Sequence, residues 1–215
     1  CIRDSSKGAQ EVMQALALID AEAPDWKYVC KVWPQPRTVA QNLADLQLAT
    51  QLGIEKNVTY TTNVVSRNFM PYLLAACDVY AGPSRLEGFG MLHVEAAACA
   101  RPVLAMDAMG FRDTMVHGET ALLAAVAQEI KVAEAVLGDD HGLAAGHRVV
   151  FPELKTVDYR ADVTDVARHL LQLLRDESLR RRLGEAGRRR AVERFDYRTV
   201  AQRFVELASS RLGIR

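Results

Sequence analysis

The chain has 215 residues, of which 49% are hydrophobic, and its 27 basic side chains balance 27 acidic ones. This length and apolar content suffice for one substantial core. Zero net charge argues against nucleic acid, whose phosphates call for a basic face, and no apolar run approaches the roughly 18 residues of a membrane span.

The chain begins with CIRDSSKG rather than with a methionine, and no signal peptide is visible. This start is typical of the end of a strand running into a loop, so we expect a piece of a longer protein. The four cysteines are widely spaced and form no C-x-x-C pair. Such spacing indicates free thiols in a reducing cytoplasm, so a cytoplasmic location is expected.

Helix and strand patterns alternate about five times over the first part of the chain. Helices are indicated by apolar residues three or four positions apart, and strands by short runs of β-branched and aromatic side chains. The alternation predicts an α/β fold, with a parallel sheet flanked by helices and ligands at the carboxyl ends of the strands. The predicted helices are residues 8–23, 38–52, 69–77, 90–99 and 111–116, and the predicted strands are residues 26–33, 57–61, 78–82 and 101–106.

The pattern changes after Leu123. Residues 126–137 are predicted as a helix, and a loop and the segment RVVFPEL follow. From Asp162 onward the sequence predicts three helices, residues 163–175, 178–194 and 197–212. Ser178 and Asp196 are the expected N-caps of the second and third, and Ser66 or Asn68 that of the earlier helix at 69–77.

The segment PSRLEGFGMLHVEAAACARPV, which starts at Pro83, joins a strand to a helix through a loop that contains Gly88 and Gly90. A helix N-terminus presents unpaired N–H groups and a partial positive charge. Glycines allow a ligand to approach that backbone closely. Residues 83–90 therefore predict an anion site, most naturally for a phosphate.

Two glutamates flank this predicted phosphate site. Glu95 lies about one turn into the helix, and because helical side chains lean toward the N-terminus, its carboxylate is placed to accept from paired hydroxyls such as those of ribose. Glu87 would accept from a second set of hydroxyls, so the residue types indicate a sugar nucleotide. For either glutamate alone, attraction to the helix dipole is an equally good explanation. A dinucleotide fingerprint is not met, because His93 stands where its third glycine belongs.

The same residues carry a family resemblance. GPSRLEGFGMLHVEAAACARPVLA, with its E-x7-E spacing, resembles the C-terminal donor-binding domain of family 4 retaining glycosyltransferases of the GT-B fold. SSKGAQEVMQALALI, MGFRDTMVHGETALL and LLRDESLRRRLGEAGRRRAVERFDY are similar to other family segments, in the same order. The resemblance covers about residues 3–123 and 162–210. It implies a Rossmann-like domain over residues 1–195 with an atypical insertion at 124–160, and a final helix, 196–215, that packs toward a missing N-terminal domain.

The resemblance implies a role for each matched residue. Glu95 would bind the ribose, and Glu87 the hydroxyls of the transferred sugar. Lys7 matches the lysine of the family's Lys-Gly motif, which neutralises the diphosphate. The family pairs this lysine with an arginine slightly upstream, which leaves Arg3 or a residue before the chain. Backbone amides along the sugar and diphosphate are implied for Gly88, Phe89 and Gly90.

Several residues have two interpretations. The family contacts the base through the backbone near Val64, although core packing explains a valine equally well. Ser84 either donates to a ligand or caps the loop locally, and His93 is expected to pack in the core. The Asp- and His-containing cluster at residues 139–147 fits no standard zinc spacing and is expected to be a solvated loop rather than a metal site. The arginine-rich run at 175–198 indicates solvated helix faces with i,i+4 ion pairs rather than a peripheral contact with anionic lipid.

The implied activity is retaining glycosyl transfer from a UDP-, GDP- or ADP-sugar, without a cofactor or a metal ion, since no D-x-D motif is present. The acceptor, a glycan, lipid or small molecule, would be bound mostly by the missing N-terminal domain, so we expect this chain to transfer sugar poorly alone. Ala100, Asp113 and Ala121 stand where the family usually has Gly, Glu and Gly. The alternatives are a sugar-nucleotide epimerase, a glycogen-synthase-like enzyme, and a non-catalytic sugar-nucleotide-binding module.

Overall fold

A computed structural model describes residues 7–32, 36–61, 65–136 and 148–213, with the side chains of residues 36–40 left out. Arg3, Val64 and the cluster at 139–147 lie outside the described residues, so the structure does not test the predictions made for them.

Helices and strands alternate from residue 9 to residue 124, as the sequence predicts. Each predicted element forms at its predicted place, and one further strand, β5, is present where the apolar run ALLA had not been assigned. The helices are α1 (Ala9–Ile19), α2 (Pro36–Gln51), α3 (Met70–Ala75), α4 (Met91–Ala98) and α5 (Phe111–Thr114), and the strands are β1 (Tyr28–Lys31), β2 (Val58–Thr61), β3 (Tyr80–Ala81), β4 (Val103–Met106) and β5 (Ala121–Ala124).

The strands form two parallel sheets, β1–β2 and β3–β4–β5. Strand β4 is the centre of the second sheet, and all four of its side chains are fully buried. Side chains of both sheets and of the helices around them belong to one contiguous core. The α/β class is therefore confirmed, and the carboxyl end of β3 leads directly into the loop at residues 83–89, which we call the donor loop.

The predicted helix at residues 126–137 is wrong. Residues Val126–Val136 form strand β6, which pairs in antiparallel register with β7 (Arg148–Ala161). Alanine, glutamate and lysine favour a helix locally, but β-branched Ile130 and Val132 pair across the hairpin, and partner contacts outweigh intrinsic propensity. The backbone N–H of Tyr159 donates to the Arg85 carbonyl at 3.0 Å, so the base of this hairpin is attached to the donor loop.

Three helices close the described part of the chain, α6 (Val163–Arg175), α7 (Glu177–Phe195) and α8 (Tyr197–Leu212). The predicted bounds of α6 and α8 are confirmed, as is the Asp196 cap of α8, whose carboxylate accepts from Arg198 N. The predicted Ser178 cap of α7 is wrong, because Asp176 lies two residues earlier and its carboxylate accepts from Leu179 N at 2.8 Å.

The N-cap position of α3 is also corrected. It is occupied by Phe69, without a side-chain hydrogen bond, rather than by Ser66 or Asn68. Pro71 stands in the first turn, where its missing N–H costs little.

Arginines of α7 attach this helix to the ends of other elements. Arg190 donates to the carbonyls of Asp113 and Thr114, each at 2.8 Å, and Arg182 donates to the Gly118 carbonyl at 3.1 Å. Only some of the run follows the predicted i,i+4 pattern, as in the exposed ion pair of Arg181 with Glu177. Cations near helix C-termini and loop carbonyls are electrostatically favourable, so this arginine-rich run has a clear structural role.

Helix α8 has no buried residue, and its stripe of Val200, Phe204 and Leu207 is 49%, 70% and 58% exposed. Among the helices of the described residues, none combines the length and the apolar character that crossing a bilayer requires.

Candidate functional site

The donor loop is held against the first turn of α1 by a glycine. Gly8 has a φ of +75°, and a Cβ atom on it would lie 2.3 Å from the Pro83 carbonyl oxygen. Any other residue would therefore push the start of α1 away from the loop. This close approach places Lys7 beside the loop.

Lys7 and Glu87, both predicted from the sequence, form an ion pair. Lys7 Nζ lies 2.6 Å from Glu87 Oε2, with 26% and 18% of the two side chains exposed. Burial acts to raise the pKa of Glu87, but the hydrogen bond and charge of Lys7, aided by the Gly90 N–H, leave that pKa below its ordinary value. Glu87 is therefore a carboxylate at neutral pH.

Gly90 begins α4 with a left-handed backbone, at a φ of +80°, and no side chain caps the helix. A Cβ atom at this position would lie 2.9 Å from the Phe111 ring. Both the positive φ and this close approach therefore favour a glycine. The N-terminal end of α4, with its partial positive charge, thus lies close to Glu87 and Lys7. The loop and helix start predicted from the sequence are therefore present, and an anion site at this place stays a prediction.

Glu95 is exposed on α4, about one turn after Gly90. Burial raises the pKa of the Tyr80 phenol, and the negative charges of Glu87 and Glu95 both raise it further. Tyr80 belongs to β3, so the charges of both carboxylates act on this strand. Lys7 and Glu87 are thus in contact beside the start of α4, and Glu95 lies five residues after Gly90 on the same helix.

The glycine-rich part of the donor loop packs against the loop that precedes α5. A Cβ atom on Gly110 would lie 2.1 Å from the Gly88 carbonyl oxygen, and the Glu87 N–H donates to Met109 Sδ at 3.3 Å. Phe89 is 44% exposed, and its ring packs in a T-shaped arrangement with the ring of Phe195 at the end of α7, with ring centroids 5.4 Å apart. Residues 88–90 are thus supported from α5 and from α7.

His93 and Ser84 are both buried behind the loop. The His93 Nε2–H donates to the Gly82 carbonyl at 2.6 Å, and the ring packs against Tyr80 and Phe111. Burial lowers the pKa of His93 to about 4, so it is neutral and packs in the core, as predicted. Ser84 is fully buried, and among the described residues its Oγ has no hydrogen-bond partner.

With this geometry in place, the comparisons with known proteins identify the family. Residues 2–138 match the sequence model of the family described as Glycosyl transferases group 1. The chain belongs to this family. The resemblance to glycosyltransferases stated from the sequence is thereby confirmed.

Two curated group 1 relatives align with nearly the whole chain. The MMP alpha-(1->4)-mannosyltransferase of Mycolicibacterium hassiacum is 30% identical over 200 residues, which are 93% of this chain and 39% of that protein. The N-acetyl-alpha-D-glucosaminyl L-malate synthase of Bacillus anthracis is 26% identical over 198 residues, which are 92% of this chain and 41% of that protein. The chain therefore spans about two fifths of the length of these relatives.

Solved structures establish the GT-B fold for this group 1 chain. HepE of Anabaena in complex with UDP and glucose aligns with a TM-score of 0.71 and 22% identity, covering 97% of this chain and 46% of HepE. The C-terminal domain of the group 1 protein LpcC of Francisella tularensis aligns with a TM-score of 0.67 and 22% identity, covering 91% of this chain and 82% of that domain. The group 1 chain thus has the fold that these GT-B glycosyltransferase structures share.

Sequence reasoning missed two charged residues of this group 1 domain. Arg85 of the donor loop and Glu11 of α1 form an ion pair with Nε–Oε1 2.8 Å apart. Glu11 is 3% exposed and lies next to Val12 on the buried face of α1. A glutamate within an apolar helix stripe is a signal for a buried partner, but the sequence does not indicate which residue that partner is.

Proposed function

We propose that this chain is the donor-binding part of a retaining, metal-independent glycosyltransferase. Its donor is a nucleoside diphosphate sugar, a UDP-, GDP- or ADP-sugar, and its acceptor is bound mostly by an N-terminal domain. The observation that carries the proposal is the Lys7–Glu87 ion pair beside the N-terminal end of α4, the helix that also carries Glu95 on its exposed side. One cation and one helix end suit a diphosphate, and two carboxylates suit the hydroxyls on either side of it.

The proposed roles follow from the charges. Cleavage of the bond between the sugar's anomeric carbon and the phosphate oxygen leaves negative charge on the diphosphate. Lys7 and the N–H groups at the start of α4 stabilise that charge, and because they are held in place beforehand they lower the barrier electrostatically. The amides of Gly88, Phe89 and Gly90 line the diphosphate and the sugar.

The two carboxylates hold the hydroxyl groups of the donor. Glu95 accepts from the ribose and Glu87 from the transferred sugar, whose position they fix relative to the diphosphate. The complex of HepE with UDP and glucose, and the mannosyltransferase activity in the name of the Mycolicibacterium hassiacum relative, support a nucleotide-sugar donor. The retaining outcome and the metal independence rest on the family resemblance and on the fixed cation of Lys7.

Calorimetric titration with UDP, GDP and ADP tests the proposal. At least one nucleotide should bind the wild-type chain, and Glu95→Ala should weaken binding by about tenfold to a hundredfold, because hydrogen bonds to a charged group are lost. Glu185→Ala, at an exposed position on α7, is the control and should bind like the wild type. Absence of binding, or a Glu95→Ala variant that binds normally, would show that the site is wrong.

A further inference from the structure

A second ion pair joins the donor loop to α1. The Arg85 guanidinium donates from Nε to Glu11 Oε1 at 2.8 Å and from Nη2 to Glu11 Oε2 at 3.0 Å. Nη2 also donates to Gln10 Oε1 at 3.2 Å. Two parallel N–H···O bonds fix the planar guanidinium in position and direction, which a single charge contact does not.

The two ion pairs differ in burial. The side chains of Arg85 and Glu11 are 12% and 5% exposed, whereas those of Lys7 and Glu87 are 26% and 18% exposed. Removing one partner of a buried pair leaves an uncompensated charge in a poorly solvated place, which is costly. The Lys7–Glu87 pair faces solvent more and opens at lower cost.

The order of the charges fixes how the loop lies on the helix. Lys7, positive, comes just before α1 and precedes the negative Glu11 within it, while along the loop the positive Arg85 precedes the negative Glu87. Each pair therefore joins opposite charges only in the observed alignment. A shift of the loop that placed Arg85 beside Lys7 would bring like charges together.

Arg85 also connects the loop to the hairpin. Its carbonyl accepts from the Tyr159 N–H at 3.0 Å, while its side chain reaches Glu11. The same residue is thus bonded to α1 through its side chain and to β7 through its backbone. At Arg85 the donor loop is therefore attached on two sides.

We propose that Glu11 and Arg85 are a positioning pair, which we call the anchor pair. It holds the donor loop in place when Lys7 and Glu87 separate to take the donor. The inference rests on the proposed function, in which Lys7 meets the diphosphate and Glu87 meets sugar hydroxyls. Those tasks need the N–H groups of Lys7 and the lone pairs of Glu87 that the two side chains now share with each other. Of the two ion pairs that join the donor loop to the start of the chain, only the anchor pair then remains.

Three variants test the anchor pair. Arg85→Lys keeps the charge but loses the paired hydrogen bonds, Glu11→Gln removes the charge, and the double variant Glu11→Arg, Arg85→Glu exchanges the partners. Asp107→Asn is the matched control, because it breaks the exposed ion pair of Asp107 with Arg112 near the loop. Affinity for UDP, GDP and ADP is measured well below each variant's unfolding midpoint, together with amide hydrogen exchange over residues 84–90.

Arg85→Lys and Glu11→Gln should each weaken nucleotide binding by at least about tenfold, since a small misplacement of binding groups is expensive. Exchange at 84–90 should become faster in both, and the exchanged pair should recover part of the affinity. Asp107→Asn should change neither. A pair that served stability alone would lower the unfolding midpoint but leave affinity and loop exchange as in the wild type.

The outcomes separate this proposal from the one on which it rests. Nucleotide binding by the wild type, with normal affinity and normal loop exchange in Arg85→Lys, overturns the anchor pair and leaves the proposed function intact. Failure of the wild type to bind UDP, GDP or ADP overturns both. If Glu11→Gln does not fold, the nucleotide affinity and loop exchange of Arg85→Lys, which keeps the charge of the pair, test the anchor pair.

Discussion

Glu87 has two roles in this account: it pairs with Lys7 in the structure, and it contacts the donor in the proposed complex. In the structure its carboxylate neutralises Lys7 at 2.6 Å, so neither charge is left partly buried and alone. In the proposed complex the same two groups face the donor instead. A site of this kind keeps its charged groups close to their working positions before the ligand arrives.

The ion pair predicts a pH-dependent contribution to stability. Because the pKa of Glu87 in the folded chain is below its ordinary value, the pair adds stability above the ordinary carboxyl pKa. That stability is lost as the pH falls through the lowered pKa. Glu87→Gln should reduce the free energy of unfolding by roughly 1 kcal/mol at neutral pH, and the difference should vanish at acid pH.

Urea unfolding of wild type and Glu87→Gln over a series of pH values measures this difference. Glu177→Gln, which breaks an exposed pair with Arg181, serves as the control and should show little difference at any pH. A Glu87→Gln deficit that stays constant down to acid pH would contradict the account.

Ala100 carries local strain that a single substitution should relieve. Its φ is +56°, directly after the end of α4, and a Cβ atom on Gly184 would lie 2.2 Å from its carbonyl oxygen. The family resemblance gives a glycine at this position. Since a left-handed conformation costs an L-residue about 1 kcal/mol or more and glycine's unfolded-chain entropy offsets part of the gain, Ala100→Gly should stabilise by roughly 0.5 kcal/mol.

Chemical denaturation of Ala100→Gly and of two comparison variants measures this effect. Ala201→Gly, within the exposed helix α8, should lose about 1 kcal/mol. Gly184→Ala should lose more, because its methyl group would meet the Ala100 backbone. Destabilisation by Ala100→Gly would show that the strain is not present in solution.

At the scale of elements, the hairpin β6–β7 is the part that sequence reasoning got wrong. Each helix and strand predicted before β6 has a clear hydrophobic pattern within its own residues, so the local sequence is enough to predict it. In β6 the local signal is helical, and only the pairing with β7, from Val126 opposite Ala161 to Val136 opposite Arg148, decides for a strand. Such pairing is not visible in a window of sequence.

The hairpin should also be the least protected sheet of the described chain. It is two-stranded and largely exposed, with Val150 and Leu154 more than 60% exposed, whereas β4 is fully buried. An isolated two-stranded ribbon is marginally stable in water, and local opening follows low burial. Amide hydrogen exchange should be faster in residues 130–136 and 148–156 than in β4. Equal protection of the hairpin and β4 would contradict this prediction.

Only the parts of the candidate site that are each contiguous in sequence could be predicted. The donor loop could be predicted because strand, glycines and helix follow one another within one segment, and Lys7 because its Lys-Gly motif is similar to that of a family. The anchor pair could not, since Glu11 and Arg85 are 74 positions apart. Only the packing of α1 against the loop, at Gly8, brings them together.

At the scale of the whole molecule, the chain belongs to the group 1 glycosyltransferase family and has a GT-B fold. It spans about two fifths of the length of its curated relatives, 39% and 41% in the two compared. The exposed stripe on α8, with Phe204 at 70%, is a surface on which the proposed N-terminal domain would pack. In the proposed enzyme that N-terminal domain binds most of the acceptor. This chain alone should therefore bind nucleotide but transfer sugar slowly at most.

The most direct test of the central claim is a crystal structure of this chain with the nucleoside diphosphate that binds it most tightly. We predict the diphosphate at the N-terminal end of α4 and within hydrogen-bond distance of Lys7 Nζ. The ribose hydroxyls should donate to Glu95, and Lys7 should have moved from its 2.6 Å contact with Glu87. A nucleotide bound elsewhere, or one at this loop that touches neither Lys7 nor Glu95, would contradict the account.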